Sequence, residues 1–269
     1  MEHKVDLFYN TYKNYADEIY QEIREETYGE DIGQTSWLTA DEYRGFLSIL
    51  KLSSDQKVLE VATGSGGPAV FMVKETGCHL TGTDINEHGI ENARKLASAN
   101  GVDNRMEFIL ADASEKFPFP DASFDVIISI DSINHFKNRD KVFLEFKRML
   151  KNNGRLLFTD AVVITGILTS EEIAIRSSLG FFLFVPKNEN ERLLKDAGFE
   201  EIVSTDVTDN IISTSLKWYN AREKRKARLL KFEEEEKFEG LQSFFRTTHL
   251  LSSEKRLSRF MYTAVKNRK

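Results

Sequence analysis

Carboxylates stand at the ends of three apolar, β-rich runs of this chain. Glu60 lies near the end of the run at 57–62, Asp84 ends the run at 78–84, and Asp112 ends the run at 105–112. In an open α/β sheet the carboxyl ends of parallel strands meet at one edge, and ligands bind there. We therefore expect the three acids to line one cleft and to accept hydrogen bonds from a ligand.

A glycine-rich segment follows the first of these acids. In VATGSGGPA (61–69), Gly64 and Gly66 let the backbone approach a ligand closely, and the helix expected next presents unpaired N–H groups. The spacing Gly64-x-Gly66-x-x-Ala69, followed by Asp84, also satisfies the G-x-G-x-x-A dinucleotide fingerprint. The segment alone is compatible with a nicotinamide or flavin dinucleotide and with S-adenosyl-L-methionine.

The acids discriminate between these two ligands. Glu60 would repel a pyrophosphate over the glycine segment but attract the ammonium group of a methionine moiety. Asp84 is placed to accept hydrogen bonds from both ribose hydroxyls, and Asp112 from an adenine amino group. The three together favour an adenosine with a cationic tail.

The hydrophobic pattern supplies the elements that position these residues. Seven β-rich runs occur at 57–62, 78–84, 105–112, 123–130, 154–163, 198–208 and 259–267, with helical patterns at 68–76, 87–100 and 138–151 between the early ones. This alternation predicts an α/β fold with a doubly wound, Rossmann-like, mostly parallel seven-stranded sheet.

The residues before the first strand, and those between the last three strands, have helical patterns. We expect a helical N-terminal cap over 1–52 and a sheet domain over 53–269, with helical lid insertions at about 166–197 and 209–256. Within the second insertion, a charged pattern at about 211–238 predicts one long helix. Insertions at these points could cover the ligand-binding edge of the sheet.

Composition excludes several classes of protein. The net charge of −6 argues against nucleic acid as a partner, because binding a phosphate backbone requires a basic surface. A single cysteine, Cys78, rules out a cysteine-based metal cluster, and we expect no metal site. No apolar run is long enough to span a membrane and the N-terminal residues lack an apolar signal core, so we expect a cytoplasmic protein with no membrane partner.

These segments resemble, in order, the motifs of class I S-adenosylmethionine-dependent methyltransferases. The resemblance is carried by Glu60-x-Ala62-x-Gly64-x-Gly66, GTDIN (82–86), ADA (111–113), FPFPDASFDVIISIDSINH (117–135) and LKNNGRLLFTD (150–160). Ala62 stands where the family usually has glycine. By this resemblance, cofactor contacts also come from Ile85, Ala113 and Ile130.

Within that class the chain is most similar to phosphoethanolamine (phosphobase) methyltransferases, and related types act on sarcosine, sterols and quinones. NYADE (14–18) resembles the segment with a catalytic tyrosine, and DSINH (131–135) the segment with its histidine partner and an acidic substrate contact. YGEDIGQTSW (28–37) resembles the stretch that closes over the cofactor. The resemblance thus implies a methyl-transfer site formed by Tyr15, Asp131 and His135, and cofactor contacts from Gln34, Ser36 and Trp37.

We expect the acceptor to be a small molecule that is methylated on a nitrogen, oxygen or carbon atom. Phosphobase enzymes bind phosphate with tyrosines and basic residues after the fifth strand, whereas this chain has Ala161 and, before the apolar GFFLFVP (180–186), only Arg176. A hydrophobic or aromatic acceptor is therefore at least as compatible with the sequence. The alternatives are an NAD(P)-dependent oxidoreductase, a nucleic-acid methyltransferase and a cofactor-binding scaffold without catalysis.

Overall fold

The computed structural model describes residue 12 and residues 17–267. Its eight strands form one sheet with the spatial order β3-β2-β1-β4-β5-β8-β7, and β6 pairs with β5 outside this path. The strands are β1 (Lys57–Val61), β2 (His79–Asp84), β3 (Met106–Leu110), β4 (Phe124–Ser129), β5 (Leu150–Ile164), β6 (Val185–Pro186), β7 (Phe199–Asp206) and β8 (Leu257–Lys266).

The described residues also form ten α-helices. They are α1 (Glu18–Tyr28), α2 (Ala40–Leu50), α3 (Gly67–Thr76), α4 (Glu87–Ala99), α5 (Arg139–Met149), α6 (Ser170–Arg176), α7 (Glu189–Asp196), α8 (Thr208–Lys224), α9 (Lys226–Leu229) and α10 (Glu235–Ser253). Sequence signals mark several ends: Asn86 accepts a hydrogen bond from the Gly89 amide at the start of α4, and Gly77 ends α3 in a left-handed conformation.

The predicted doubly wound α/β sheet is confirmed. Strands β1 to β5 pair in parallel, whereas β8 runs antiparallel between β5 and β7. The count of seven was one too low, because the two-residue β6 lies inside the apolar run at 180–186 and is too short to give a periodic signal.

The sheet is buried on both faces, as its continuous apolar strands require. Alternate residues of β1 point in opposite directions, so Leu59 and Val61 pack in one core cluster while Val58 packs in the other. Both clusters include side chains from the central strands. This burial leaves the carboxyl ends of β1, β2 and β4 as fixed points from which loops leave the sheet.

A separate helical layer joins α1 to α8, α9 and α10. Ile19 and Ile23 pack against Ala221, Leu229 and Phe238 in a small core of their own. The single helix predicted at 211–238 is therefore wrong. On one straight helix Ala221 and Phe238 would be about 25 Å apart, but burying both in one cluster requires the chain to turn between α9 and α10. No helix within the described ranges is long and apolar enough to cross a membrane.

Candidate methyl-transfer site

The turn after β1 has a left-handed backbone at three positions. Ala62, Gly64 and Gly66 have φ values of 60°, 56° and 78°. Glycine adopts this conformation without steric cost, whereas alanine does not. Gly67 begins α3 directly against the carbonyl oxygens of Ile32 and Gly33, where a Cβ atom would clash. The turn is thus tightly wound and covered by the 29–37 segment.

Asp84 stabilises this turn through two hydrogen bonds. One of its carboxylate oxygens accepts a hydrogen bond from the Gly64 amide at 2.8 Å, and the other accepts one from the Asn86 amide at 2.8 Å. The side chain is buried, and burial raises the pKa of its carboxyl. A buried carboxylate at this strand end is a ready acceptor for ligand hydroxyls.

Glu60 lies beside it, also buried. The Thr63 hydroxyl donates to its carboxylate. Burial raises the pKa of Glu60 from 4.5 to about 7, with the Thr63 hydrogen bond opposing the rise and the charge of Asp84 adding to it. A cation bound here would stabilise the ionised form, which the protein alone stabilises poorly.

The ends of β2 and β3 bring the third acid to the same edge. Asp84 pairs in register with Leu110, and the Ala111 amide donates to the Asp84 carbonyl at 2.9 Å. Asp112 follows, with an exposed carboxylate that accepts from the Ser114 amide at 2.7 Å. Beside them, Ala113 is buried and Ile85 is 69% exposed, an apolar surface next to the acids.

Segments from before the sheet cover the glycine turn. A Cβ atom at Gly64 would lie 2.9 Å from the Tyr12 hydroxyl, and the Tyr12 carbonyl accepts from the Asn92 side-chain Nδ2 at 2.7 Å. The resemblance to known methyltransferases singled out Tyr15 in this part of the chain and not Tyr12. Tyr15 lies outside the described residues.

The 29–37 segment is held by its own side chains. Gln34 is fully buried, and its Oε1 accepts from the backbone N–H of Ile32 at 2.8 Å. The Gln34 side chain thus stabilises the turn of this segment. The Ser36 carbonyl accepts from the Tyr28 hydroxyl at 2.5 Å. Trp37 donates its backbone N–H to Asp131 at 3.0 Å, which ties the segment to the end of β4.

Asp131 follows β4 with a φ of 51°. Its Oδ1 accepts from Arg259 Nε at 2.7 Å and from the Thr159 hydroxyl at 2.8 Å, while Oδ2 accepts from Trp37. Both carboxylate oxygens are thus engaged by protein donors. Ile130, just before it, packs against one of the two sheet cores.

His135 ends a short 3₁₀ helix after β4. Its Nδ1 lies 2.8 Å from the Phe181 carbonyl and its Nε2 lies 3.1 Å from the Asn134 side-chain amide. A carbonyl can only accept, so Nδ1 carries the proton and Nε2 accepts. Burial, and then the charge of Arg176, lower the pKa of His135 to about 4 despite the bond to Phe181. The imidazole is neutral at pH 7.

Arg176 is the site residue whose importance the sequence did not reveal. Its guanidinium lies 4.6 Å from the Phe244 ring centre, 4.9 Å from Phe182 and 5.9 Å from Trp37, and Phe182 in turn lies 4.6 Å from the His135 ring. Only 1% of Arg176 is exposed, and burial lowers its pKa to about 9. Among described residues, its Nε and Nη1 have no hydrogen-bond partner.

The other buried arginines differ from Arg176. Each has a carboxylate partner at 2.9 Å or less: Arg24 with Asp31, Arg139 with Asp160, Arg222 with Glu233, and Arg259 with Glu42 and Asp131. Within residue 12 and residues 17–267, no group of acidic, histidine or cysteine side chains has the arrangement of a metal site.

Residues 52–224 match the protein family described as a methyltransferase domain. The chain belongs to this methyltransferase family. It is 30% identical to phosphoethanolamine N-methyltransferase 3 of Arabidopsis thaliana, over 85% of this chain and 46% of that protein. It is 31% identical to the 27-O-demethylrifamycin SV methyltransferase of Amycolatopsis mediterranei, over 65% of this chain and 64% of that protein. The methyltransferase thus spans less than two thirds of either relative.

The fold is also that of solved methyltransferases. A Haemonchus contortus phosphoethanolamine N-methyltransferase 2, in complex with phosphomonomethylethanolamine and S-adenosylhomocysteine, superimposes with a TM-score of 0.80. The two are 22% identical, and the match covers 97% of this chain and 61% of that one. The expected S-adenosylmethionine-dependent methyltransferase family is therefore confirmed, and the oxidoreductase alternative is not favoured.

Proposed function

We propose that this methyltransferase transfers the methyl group of S-adenosyl-L-methionine to a small acceptor that carries an anionic group, with nitrogen as the accepting atom. The observation that carries the proposal is Arg176, a buried guanidinium without a carboxylate partner among the described residues. The relatives' names point to different acceptors, since phosphoethanolamine is a small anionic amine and a rifamycin is not. Arg176 favours a small anionic amine.

The cofactor would lie across the ends of β1, β2 and β3. Glu60 would pair with its ammonium group, Asp84 would accept from its ribose hydroxyls, and Asp112 from its adenine amino group. These roles suit the chemistry of the donor set, because two buried carboxylates with raised pKa values gain most from a hydrogen-bonding or cationic ligand. The cofactor supplies a sulfonium methyl group, and the protein supplies alignment and exclusion of water.

Further cofactor contacts would come from the surrounding loops. The exposed face of Ile85 is suited to contact the adenine ring. The remaining proposed contacts are the glycine-turn residues Ala62, Gly64 and Gly66, the strand-end residues Ala113 and Ile130, and Gln34, Ser36 and Trp37 of the 29–37 segment. The tight packing of Gly67 against this segment supports its role as a cover over the cofactor.

His135 would orient the acceptor rather than serve as a general base. A base works best with a pKa near the operating pH, and burial holds the pKa of His135 near 4. Its ring lies 4.6 Å from that of Phe182, which in turn packs on Arg176, so His135 would orient the acceptor by fixing this aromatic wall. Asp131 and Tyr15 are proposed to form the remainder of the methyl-transfer site.

Arg176 would bind the anion. A buried guanidinium without a carboxylate partner is costly, and a carboxylate or phosphate would form charge-assisted hydrogen bonds to its vacant N–H groups. The rings of Phe182 and Phe244 stabilise the cation through their faces without occupying those groups. They would also contact the apolar part of the acceptor.

The test compares matched acceptors that differ in one anionic group, such as phosphoethanolamine and ethanolamine, or sarcosine and dimethylamine. Arg176→Met should reduce kcat/KM for the anionic member roughly 10- to 100-fold, the loss expected for a charge-assisted hydrogen bond. It should leave the affinity for S-adenosyl-L-methionine unchanged by calorimetry. Arg192→Met, which removes an exposed arginine, is the control. Equal use of neutral and anionic acceptors by the unaltered enzyme would refute the proposal.

We further propose a cytoplasmic location, with no nucleic acid as a substrate. The acidic composition, with a pI of about 5.6, and the single buried cysteine both support this. Gel-shift assays with RNA and DNA at low salt should show no binding, and cell fractionation should recover the protein in the cytosol.

A further inference from the structure

A buried ion cluster joins three separate elements beside the acceptor pocket. Arg259 of β8 lies between Glu42 of α2, at 2.6 Å, and Asp131 after β4, at 2.7 Å. Arg259 is fully buried, and although burial opposes its charge, the two carboxylates raise its pKa. Arg259 is therefore held as a cation between two acids, and its short contacts to Glu42 and Asp131 fix the three side chains relative to one another.

Asp131 is attracted by two arginines. Its carboxylate contacts Arg259 directly, and its charge also stabilises the protonated form of Arg176. Arg176 has vacant N–H groups, so it would be the natural alternative partner for this carboxylate. Trp37 links the two groups in space, because its backbone N–H donates to Asp131 at 3.0 Å while its ring lies 5.9 Å from the Arg176 guanidinium.

The partners of the Asp131 carboxylate fix its position at the end of β4. A φ of 51° lies in the left-handed region, which aspartate tolerates better than most residues other than glycine, and here three hydrogen-bond donors hold its side chain. Those bonds come from Arg259, from Thr159 and from the N–H of Trp37. Trp37 in turn places its ring beside Phe244, with centres 6.2 Å apart, and over Arg176.

We propose that Arg259 is a positioning residue that holds Asp131 away from Arg176. It thereby keeps the Arg176 guanidinium free for the acceptor anion and keeps Trp37 in the wall of the pocket. The inference rests on the proposed function for the identity of the anion, but the placement of Trp37 can be tested without any acceptor. When Arg259 can no longer bind Asp131, the carboxylate turns to Arg176 and competes with the acceptor.

Two readouts separate this role from a purely structural one. The chain has only two tryptophans, so Trp218→Phe leaves Trp37 as the single fluorophore. In that background Arg259→Lys, which replaces the planar guanidinium fork by a compact ammonium on a shorter side chain, should increase acrylamide quenching of Trp37. Arg222→Lys alters a comparably buried pair with Glu233 and should leave the quenching unchanged.

The second readout is rescue of acceptor binding. With phosphoethanolamine or sarcosine as the probe, Arg259→Lys should raise KM roughly 10-fold or more, the cost of losing a charge-assisted contact, with little change in the affinity for S-adenosyl-L-methionine. Adding Asp131→Asn removes the competing charge, so KM should return toward its starting value even if kcat stays low. If Arg259→Lys does not fold, Glu42→Gln/Arg259→Gln replaces it, because Asp131 then becomes the unpaired acid.

The outcomes are distinct. Unchanged Trp37 quenching in Arg259→Lys, or a raised KM that Asp131→Asn does not lower, would overturn the inference. If neither anionic probe is methylated by the unaltered enzyme, the proposed function fails, while the quenching experiment still decides whether Arg259 positions Trp37 through Asp131.

Discussion

Replacing Glu60 by glutamine tests the electrostatics at the end of β1. The glutamate is buried and its pKa is raised from 4.5 to about 7, whereas glutamine has nearly the same shape and does not titrate. A raised carboxyl pKa means that the folded protein binds the proton more tightly than the unfolded chain. The stabilisation is fully present below pH 4.5 and is lost as the pH rises through 7.

The size of the effect follows from the pKa of Glu60 in the unfolded chain, 4.5, and in the folded protein, about 7. At about 1.4 kcal/mol per pH unit, ionisation of Glu60 should lower the free energy of unfolding by about 2.5 kcal/mol between pH 5 and pH 8. Other groups titrate in this range, and His135, with its lowered pKa, changes stability in the opposite direction below pH 6.5. Comparing the glutamine variant with the unaltered protein cancels these contributions.

The assay is urea unfolding of both proteins without cofactor at pH 5 and pH 8. The unaltered protein should lose about 2.5 kcal/mol more than Glu60→Gln over this interval, and the variant should be the more stable of the two at pH 8. S-adenosyl-L-methionine should reverse that order at pH 8, because in the proposed contact its ammonium group would stabilise the glutamate and not the amide. An identical pH dependence in both proteins would refute the reasoning.

Three further changes probe neighbouring residues. Asp84→Ala should weaken S-adenosyl-L-methionine binding about 10- to 100-fold by calorimetry, because the ribose hydroxyls lose a charged acceptor; unchanged affinity would contradict the proposed contact. His135→Ala should spare cofactor binding and slow methyl transfer in a single-turnover assay, and a collapse of cofactor affinity would instead indicate a structural role. Ala62→Gly should raise the free energy of unfolding by up to about 1 kcal/mol in urea titrations, because the φ of 60° is unfavourable for alanine; a loss of stability would disprove this.

The sequence predicted best what depends on local pattern. Buried runs marked the seven longer strands, and their ends located Glu60, Asp84 and Asp112 at one edge, because parallel strands have a shared direction. The break between α9 and α10 was missed, since the charged pattern of that region continues across the turn. The division of the chain at residue 52 stays a prediction.

The surroundings of Arg176 could not be read from the sequence for a different reason. Arg176 is defined by what surrounds it: rings from positions 37, 182 and 244, and the absence of a carboxylate among the described neighbours. These residues come together only through the packing of α6, α10 and the 29–37 segment. Likewise, no spacing rule links Asp131 to Arg259, which lies 128 positions away.

The small core shared by α1 and α8 to α10 has a consequence for engineering. Ile19 and Ile23 come from one end of the chain, and Leu229 and Phe238 from a region some two hundred positions later, yet each half shields the other from water. In a chimera that receives only residues 208–253 from another methyltransferase, the apolar side chains of these helices would no longer match those of α1. The poorly packed apolar surface would make the chimera prone to aggregation. Exchanging 18–28 together with 208–253 would preserve the packing of this small core. The two segments are therefore best exchanged together when acceptor choice is redesigned.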